Sequence, residues 1–294
     1  MKIPKRFQPL ITDGLVDEVI RSIMSGKEAT LYVVRCGTAI RCAKVYKEAA
    51  KRSFKKAAQY QEGRKVKNTR RARAMEKRSK YGKQQQEETW QNAEIDSLRK
   101  VNDSGVRVPE TYGCFDGVLL MELITDSEDQ VAPRLADVSM SHNEALLEHA
   151  VIMGFIVRML CVGIIHGDLS EFNVLIEQDG PVIIDLPQAI DASSNNNAEM
   201  MLKRDVNNMT RYYASFAPEL SGTNYADEIW SLYEEGKLHP DISLSGIFKE
   251  SSQPADVDTV IQEIKAALAQ EEARLARLKA VSYTHLTLPT IYSV

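Results

Sequence analysis

Several things this chain has little of narrow its class. Its four cysteines, Cys36, Cys42, Cys114 and Cys161, show no C-x-x-C spacing. That pattern argues against a disulfide framework or a thiolate metal site and reads as reduced packing residues in a cytoplasmic protein. Apolar runs of membrane length are missing as well. The longest, Ala150 to Ile165, is interrupted by Arg158 and reads as a buried helix. The charged start Met1-Lys2-Ile3-Pro4-Lys5-Arg6 leads into no apolar core, so no secretory signal is expected. No repeat period is visible. The P-loop pattern also fails, because Glu28 stands where Ser or Thr is required and the earlier Gly is absent. What the chain does have is 44% hydrophobic residues over 294 positions, ample for two closely packed lobes.

The informative stretch is Ile165 to Asn173, I-H-G-D-L-S-E-F-N, followed by an apolar run that ends on Asp185. Val174-Leu175-Ile176 reads as a buried strand, Gln178-Asp179-Gly180 as its turn, and Val182 to Ile184 as the returning strand. The hairpin brings Asp185 back to Asp168 and Asn173. Phosphoryl transfer needs such a set: a carboxylate beside the incoming nucleophile, and a separate amide and carboxylate for the divalent ions that bridge the phosphates. Taken singly, His-Gly-Asp is a common capped turn and an Asp after aliphatics a common strand end. In this order and joined by a hairpin, they point to one nucleotide and metal site.

These residues resemble the catalytic and metal-binding loops of the protein-kinase-like fold. Within it, "HGDLSEFN" and "IIDLPQAI" are similar to the RIO family of atypical kinases and ATPases, most of all its RIO1 branch. Gly167 replaces the usual Arg between His and Asp, Leu186-Pro187 replaces the rest of D-F-G, and the stretch that comes next is the polar Ser193-Ser194-Asn195-Asn196-Asn197 rather than a clear A-P-E segment. The resemblance therefore implies an enzyme without the usual activation-loop switch or peptide-docking platform. It implies an α+β, bilobal fold, with an N-lobe of antiparallel strands plus one helix over 1–121 and a mainly helical C-lobe over 122–280.

The upstream sequence can be read against the same expectation. Ile23 to Val34 supplies a strand-turn-strand whose S-G-K-E-A turn resembles the RIO phosphate loop, with Ser25 and Lys27 approaching the phosphates. Ala39 to Tyr46 alternates as a strand carrying Lys44, for the α and β phosphates. Thr89 to Val101 puts Trp90, Ala93, Leu98 and Val101 on one helical face, with Glu94 beside them; by family match Glu94 pairs Lys44, although Glu87 and Glu88 are close by. Val106 to Pro109 should begin the next strand region, and Val118 to Ile124 reads as a buried strand. By resemblance it is the hinge, with Met121 as gatekeeper and the backbone of Glu122 and Ile124 bonding adenine. The cofactors implied are ATP with magnesium or manganese. Asn173 and Asp185 would hold the metal and Asp168 would orient the nucleophile; in an ATPase, Asp185 could itself receive the phosphoryl group. A small-molecule kinase of the aminoglycoside or choline type is the alternative enzyme, and an ATP-gated RNA or ribosome factor is the alternative binding module.

Charge is concentrated in one place. Between Lys51 and Lys83 there are fourteen basic residues and two acidic ones, net +12, in a chain of net charge −4, so the remainder carries −16. Such a run cannot be core and reads as an arm for RNA phosphates or a ribosomal particle, or as a solvated insertion. RIO proteins carry a flexible loop there, where autophosphorylation makes Ser53, Thr69 and Ser79 candidate acceptors. Only about 22 residues precede the phosphate loop, too few for the winged-helix domain of the RIO2 branch. Phe7, Leu10, Leu15, Val16, Val19 and Ile20 are expected in a short capping helix. Asp256 to Lys279 reads as a charged amphipathic helix ending the domain. Val281 to Thr290 is the translation of a common transposon-based sequencing adapter, so 281–294 are expected to be a read-through scar and are excluded from fold reasoning.

If the basic run binds RNA, co-sedimentation with ribosomal particles should fall steeply with salt. It should be lost on deleting Lys51 to Lys83, and retained with Asp168→Ala. Salt-insensitive binding would remove the electrostatic arm.

Overall fold

The computed structural model describes residues 3–26, 29–47 and 93–248. The basic run, the Asp256 to Lys279 helix and the adapter-like tail lie outside them, as does Lys27. The described residues form one compact unit.

Five strands make the first layer: β1 (Glu18–Ser25), β2 (Ala29–Cys36), β3 (Ala39–Tyr46), β4 (Thr111–Phe115) and β5 (Val118–Glu122). Their order is β1-β2-β3-β5-β4 and every pairing is antiparallel. The period of two along β3 sorts its side chains. Ala43 and Val45 join Val118 and Leu120 in a cluster closed by Phe7 and Leu10 of α1 (Phe7–Thr12), while Tyr46 and Leu119 belong to the main core on the opposite face. Lys44 has the same parity as Tyr46, so the strand itself aims it inward.

Three sequence expectations need correction. The capping helix α1 is only six residues long, and Val19 and Ile20 lie in β1, because the turn after Asp13 redirects the chain into the sheet. Val106 to Pro109 is not strand; β4 begins at Thr111. Cys161 is exposed, unlike a packing residue, because it sits at the solvent-side end of its helix.

Helix α2, residues 93–103, inserts Ile95, Leu98 and Val101 into the main core beneath the sheet. The helical lobe is built on α3 (His142–Cys161), α4 (Ala198–Ala214) and α5 (Tyr225–Glu234). Helix α3 starts at a capping box, with Ser141 and Glu144 exchanging side-chain and backbone bonds. Ile152, Ile156 and Leu160 of α3 and Val206 and Met209 of α4 are buried together, each contributing roughly 1.5–3 kcal/mol of apolar transfer. Between α3 and α4 run β6 (Ile164–Ile165), the loop from His166 to Asn173, the hairpin β7 (Val174–Glu177) and β8 (Gly180–Ile183), and β9 (Ile190–Asp191). Ile124, Ala132 and Val182 form a third cluster, which ties the end of the sheet to that hairpin. Among the described residues no helix is long and apolar enough to cross a membrane.

His149 of α3 is 2% exposed, with its Nε2 3.1 Å from Thr210 Oγ1 and its ring edge-on to Tyr213. Burial holds its pKa down at about 4, against an ordinary 6.5. The unfolded chain takes up a proton below that ordinary value, while the folded ring stays neutral. Its contribution to stability is complete above pH 6.5 and is lost as pH falls toward 4, on the order of 3 kcal/mol across the window. Urea melts between pH 7 and 4 should show this decline and His149→Gln should flatten it; an unaltered slope in the variant would clear His149.

Candidate active site

At the centre of the cleft, Lys44 Nζ donates to Glu94 Oε1 and to Asp185 Oδ1, each at 2.6 Å. Glu94 is delivered by α2, and its second oxygen accepts the hydroxyl of Tyr46, two residues along β3 from Lys44. Burial alone would discharge the lysine. The carboxylates of Asp185 and Glu94 overcome that cost and hold its pKa above the ordinary range. Asp185 shows the reciprocal effect: burial favours its neutral form, but the Lys44 ammonium keeps its pKa below the usual carboxylate value. Breaking a buried pair of this kind typically costs about 3–5 kcal/mol.

Asp185 follows β8 with φ +66°, a left-handed conformation that Asp tolerates better than most residues. The backbone turn swings its carboxylate out of the strand and into the cleft, where it keeps 46% exposure. One residue earlier, Ile184 donates its N–H to the carbonyl of Asn173 at 3.0 Å and accepts His166 Nε2 on its own carbonyl at 3.0 Å. The Asp168 N–H meets His166 Nδ1 at 3.3 Å. With a carbonyl on one nitrogen and an N–H on the other, the buried ring must be the neutral Nε2–H tautomer. Burial, which pushes its pKa down, agrees.

Asn173 donates Nδ2–H to the Asp168 carbonyl at 2.8 Å, which fixes the amide and leaves Oδ1 for another partner. Asp168 is exposed, and its Oδ2 accepts the side-chain amide of Gln188 at 3.1 Å. The three predicted residues at 168, 173 and 185 thus belong to one continuous hydrogen-bonded unit with Lys44 and Glu94.

Helix α4 holds the loop from behind. Asp205, 2% exposed, accepts the N–H of Gly167 at 2.7 Å and of Leu169 at 3.1 Å. Arg204 donates to the Gly167 carbonyl and Asn208 to the Leu169 carbonyl. Gly167 has φ +80°, which explains why glycine rather than arginine separates His166 from Asp168. Burial raises the Asp205 carboxyl to about 7 despite the two N–H donors and the adjacent guanidinium.

A cavity of about 480 Å³ opens from this polar end. Its other end is apolar, lined by Ile23, Leu31, Cys42, Met121, Ile124 and Leu175. Cys42 is unreactive there, with burial pushing its thiol up to about 12. Met121 pairs with Cys42 across β5 and β3 on this wall. Glu122 gives its N–H to the Glu110 carbonyl at 2.8 Å. Its carboxylate is held bidentately by Arg107, which also grips Glu177 of the hairpin at 2.7 Å. Ile124 already has its carbonyl on the Ala132 N–H at 3.0 Å, so the contact expected from that residue reduces to its N–H. Ser25 ends β1 with its hydroxyl 3.2 Å from Thr30 Oγ1, and Lys47 Nζ reaches that hydroxyl at 3.3 Å and also the Gly26 carbonyl.

Sequence reasoning missed Asp205, Arg107, Lys47 and Gln188. Asp205 was detectable, since an acid flanked by Met201, Leu202, Val206 and Met209 on an apolar helical face must have buried donors to meet. For Arg107 and Gln188, whose partners lie 15–70 residues away, no local signal exists.

The residues present suit a hard divalent ion. An amide oxygen and a carboxylate form an all-oxygen pair, and the Lys44 ammonium against Asp185 already marks the spot as one that accepts positive charge. Among the described residues no group of three His, Cys, Asp or Glu could hold a metal alone. Phosphate oxygens would have to complete the shell.

A family model for the RIO domain matches residues 31–226. The RIO-type serine/threonine-protein kinase Rio1 of Haloferax volcanii is 30% identical over 226 residues, 76% of this chain and 71% of that protein. Serine/threonine-protein kinase RIO1 of Homo sapiens is 27% identical over 211 residues, 69% of this chain but 34% of that protein. RIO-type serine/threonine-protein kinase Rio2 of Methanocaldococcus jannaschii is 50% identical over a shorter 56-residue stretch, 19% of this chain and 20% of that protein. This chain therefore spans most of the haloarchaeal relative and about a third of the human one.

Asp205→Asn turns one acceptor into an N–H2 group facing an N–H donor. The loss should be about 1–3 kcal/mol, with faster amide exchange at Gly167 and Leu169. Native exchange rates at both amides would show that Asp205 does not hold the loop.

Proposed function

The chain belongs to the RIO domain family of atypical serine/threonine kinases, and on that premise we propose that Asp168, Asn173, Asp185 and Lys44 carry an ATP-dependent phosphoryl transfer in the cleft between sheet and helical lobe. The observation that most supports this reading is Lys44 held between Glu94 and Asp185. It sets a cation on the sheet side of the cleft and a carboxylate on the hairpin side, with Asp168 one hydrogen-bonded loop away.

In this reading adenine occupies the apolar end, against Met121, with the Glu122 carbonyl and Ile124 N–H on its edge. Lys44 contacts the α and β phosphates, and Ser25, with Lys27 beside it in the sequence, faces them from the loop. Asn173 Oδ1 and Asp185 would hold magnesium or manganese, which when bound neutralises charge on the phosphates. Asp168 stands where an acceptor hydroxyl would lie. The hydroxyl oxygen bonds to the γ phosphorus, the bond from phosphorus to the β–γ bridging oxygen breaks toward ADP, and the hydroxyl proton passes to Asp168. The +12 segment between Lys51 and Lys83 supports a second part of the proposal, contact with RNA or ribosomal particles, on charge alone.

Incubation with γ-labelled ATP tests the assignment. Wild type should transfer or release label, Asp168→Ala should lose at least about 100-fold in rate with ATP still bound, and Lys44→Met should weaken binding and rate together. An acid-stable phosphoester would indicate a Ser or Thr acceptor, and a base-labile acyl phosphate lost in Asp185→Ala would indicate an aspartyl route. Full activity in Asp168→Ala would overturn the role given to that carboxylate.

A further inference from the structure

From the contacts around Asp168 we infer that Gln188 is a positioning residue for phosphoryl transfer, which sets the rotation of the Asp168 carboxylate through the amide–carboxylate bond between them. The inference rests on the role proposed for Asp168 and deepens it.

Two contacts fix the Asp168 backbone: its N–H meets His166 Nδ1, and its carbonyl accepts Asn173 Nδ2. Neither restrains the side chain. A carboxylate on a pinned backbone still turns about two bonds, and a nucleophile must be met within hydrogen-bond distance and in line. Among the described residues, the donor to that carboxylate is Gln188 Nε2, at 3.1 Å from Oδ2. The second oxygen is left for the acceptor hydroxyl.

Gln188 is itself well placed to act as a fixed arm. Its neighbours in D-L-P-Q-A are anchored, Leu186 at 1% exposure and Ala189 at 5%, and the Ala189 N–H closes a turn onto the Leu186 carbonyl at 3.1 Å. The turn presents Gln188 to the cleft wall, three residues beyond Asp185. A half-buried glutamine on a loop is usually only a packing or surface group. Here it lines the nucleotide cavity and ends on the group proposed to take the proton. A neutral amide also suits that partner: it orients the carboxylate without the cationic competition of a Lys or Arg. One turn thus carries both the metal-side carboxylate and the arm that aims the proton acceptor.

The test uses the full chain, Mg²⁺ and γ-labelled ATP, following label transfer or release at saturating ATP, with ATP binding measured separately by calorimetry. Gln188→Met keeps the bulk and removes the donor; Gln188→Asn withdraws the amide by one methylene. Both should lower kcat by about 10- to 100-fold and leave KM and calorimetric affinity for ATP within about two-fold. Gln188→Glu should fall further than Gln188→Met, since it sets like charge against Asp168. Wild-type kcat in Gln188→Met and Gln188→Asn overturns the inference, as does loss of ATP affinity in step with rate, the mark of a merely structural part. Asp168→Asn separates the two layers: if it is inactive while Gln188→Met is fully active, only this inference falls, and if Asp168→Asn is itself active, the underlying assignment falls.

Discussion

One buried ammonium, Lys44, organises this molecule. It sits on the middle strand of the sheet, and both its partners come from elsewhere: Glu94 from the helix beneath and Asp185 from the hairpin of the other lobe. A charge that is 8% exposed survives only if paired, so the position of α2 and the closeness of the hairpin are conditions for burying it. Tyr46 completes the arrangement by bonding the far oxygen of Glu94. An interaction that links the sheet to the hairpin is therefore also the one that places a cation and a carboxylate in the cleft, and fold and candidate site share one electrostatic condition.

The loop from His166 to Asn173 solves a different problem. It has to cross the interior as irregular backbone, whose N–H and carbonyl groups need partners. Helix α4 supplies them from one face, with Asp205 taking two N–H groups and Arg204 and Asn208 giving to two carbonyls. His166 serves the other side, bonding Ile184 and Asp168 with its two ring nitrogens. The loop's backbone is thus held from both sides, while the Asn173 side chain lines the cleft and Asp168 remains exposed.

Much of this was legible in the amino-acid sequence, for reasons that differ by element. β3 could be delimited from Ala39 to Tyr46 because alternation of residue types along a strand is a local property, and the hairpin that returns Asp185 was marked by a turn between two aliphatic runs. Glu94 could be chosen over Glu87 and Glu88 only through family likeness, and the structure puts it on Lys44. Less visible was anything dependent on distant chain: the early start of β1, the exposed Cys161, and the partners of Arg107, Gln188 and Asp205. Hydrophobic spacing says that a face is buried, but not which donors wait there. The segment after β5 shows the same limit, since the Ile124 carbonyl is used by Ala132, across a loop that periodicity does not describe.

Arg107 carries a mechanical implication. Its single guanidinium is shared between Glu122, where the sheet ends, and Glu177, in the strand that begins just after Asn173. The Arg107 carbonyl meanwhile takes the N–H of Ile183, two residues ahead of Asp185. The slot wall and the hairpin are thereby coupled at three points, so neither can be displaced while the other stays put. Widening one end of the crevice would be felt at the opposite end, as when a pair of tongs turns on one rivet.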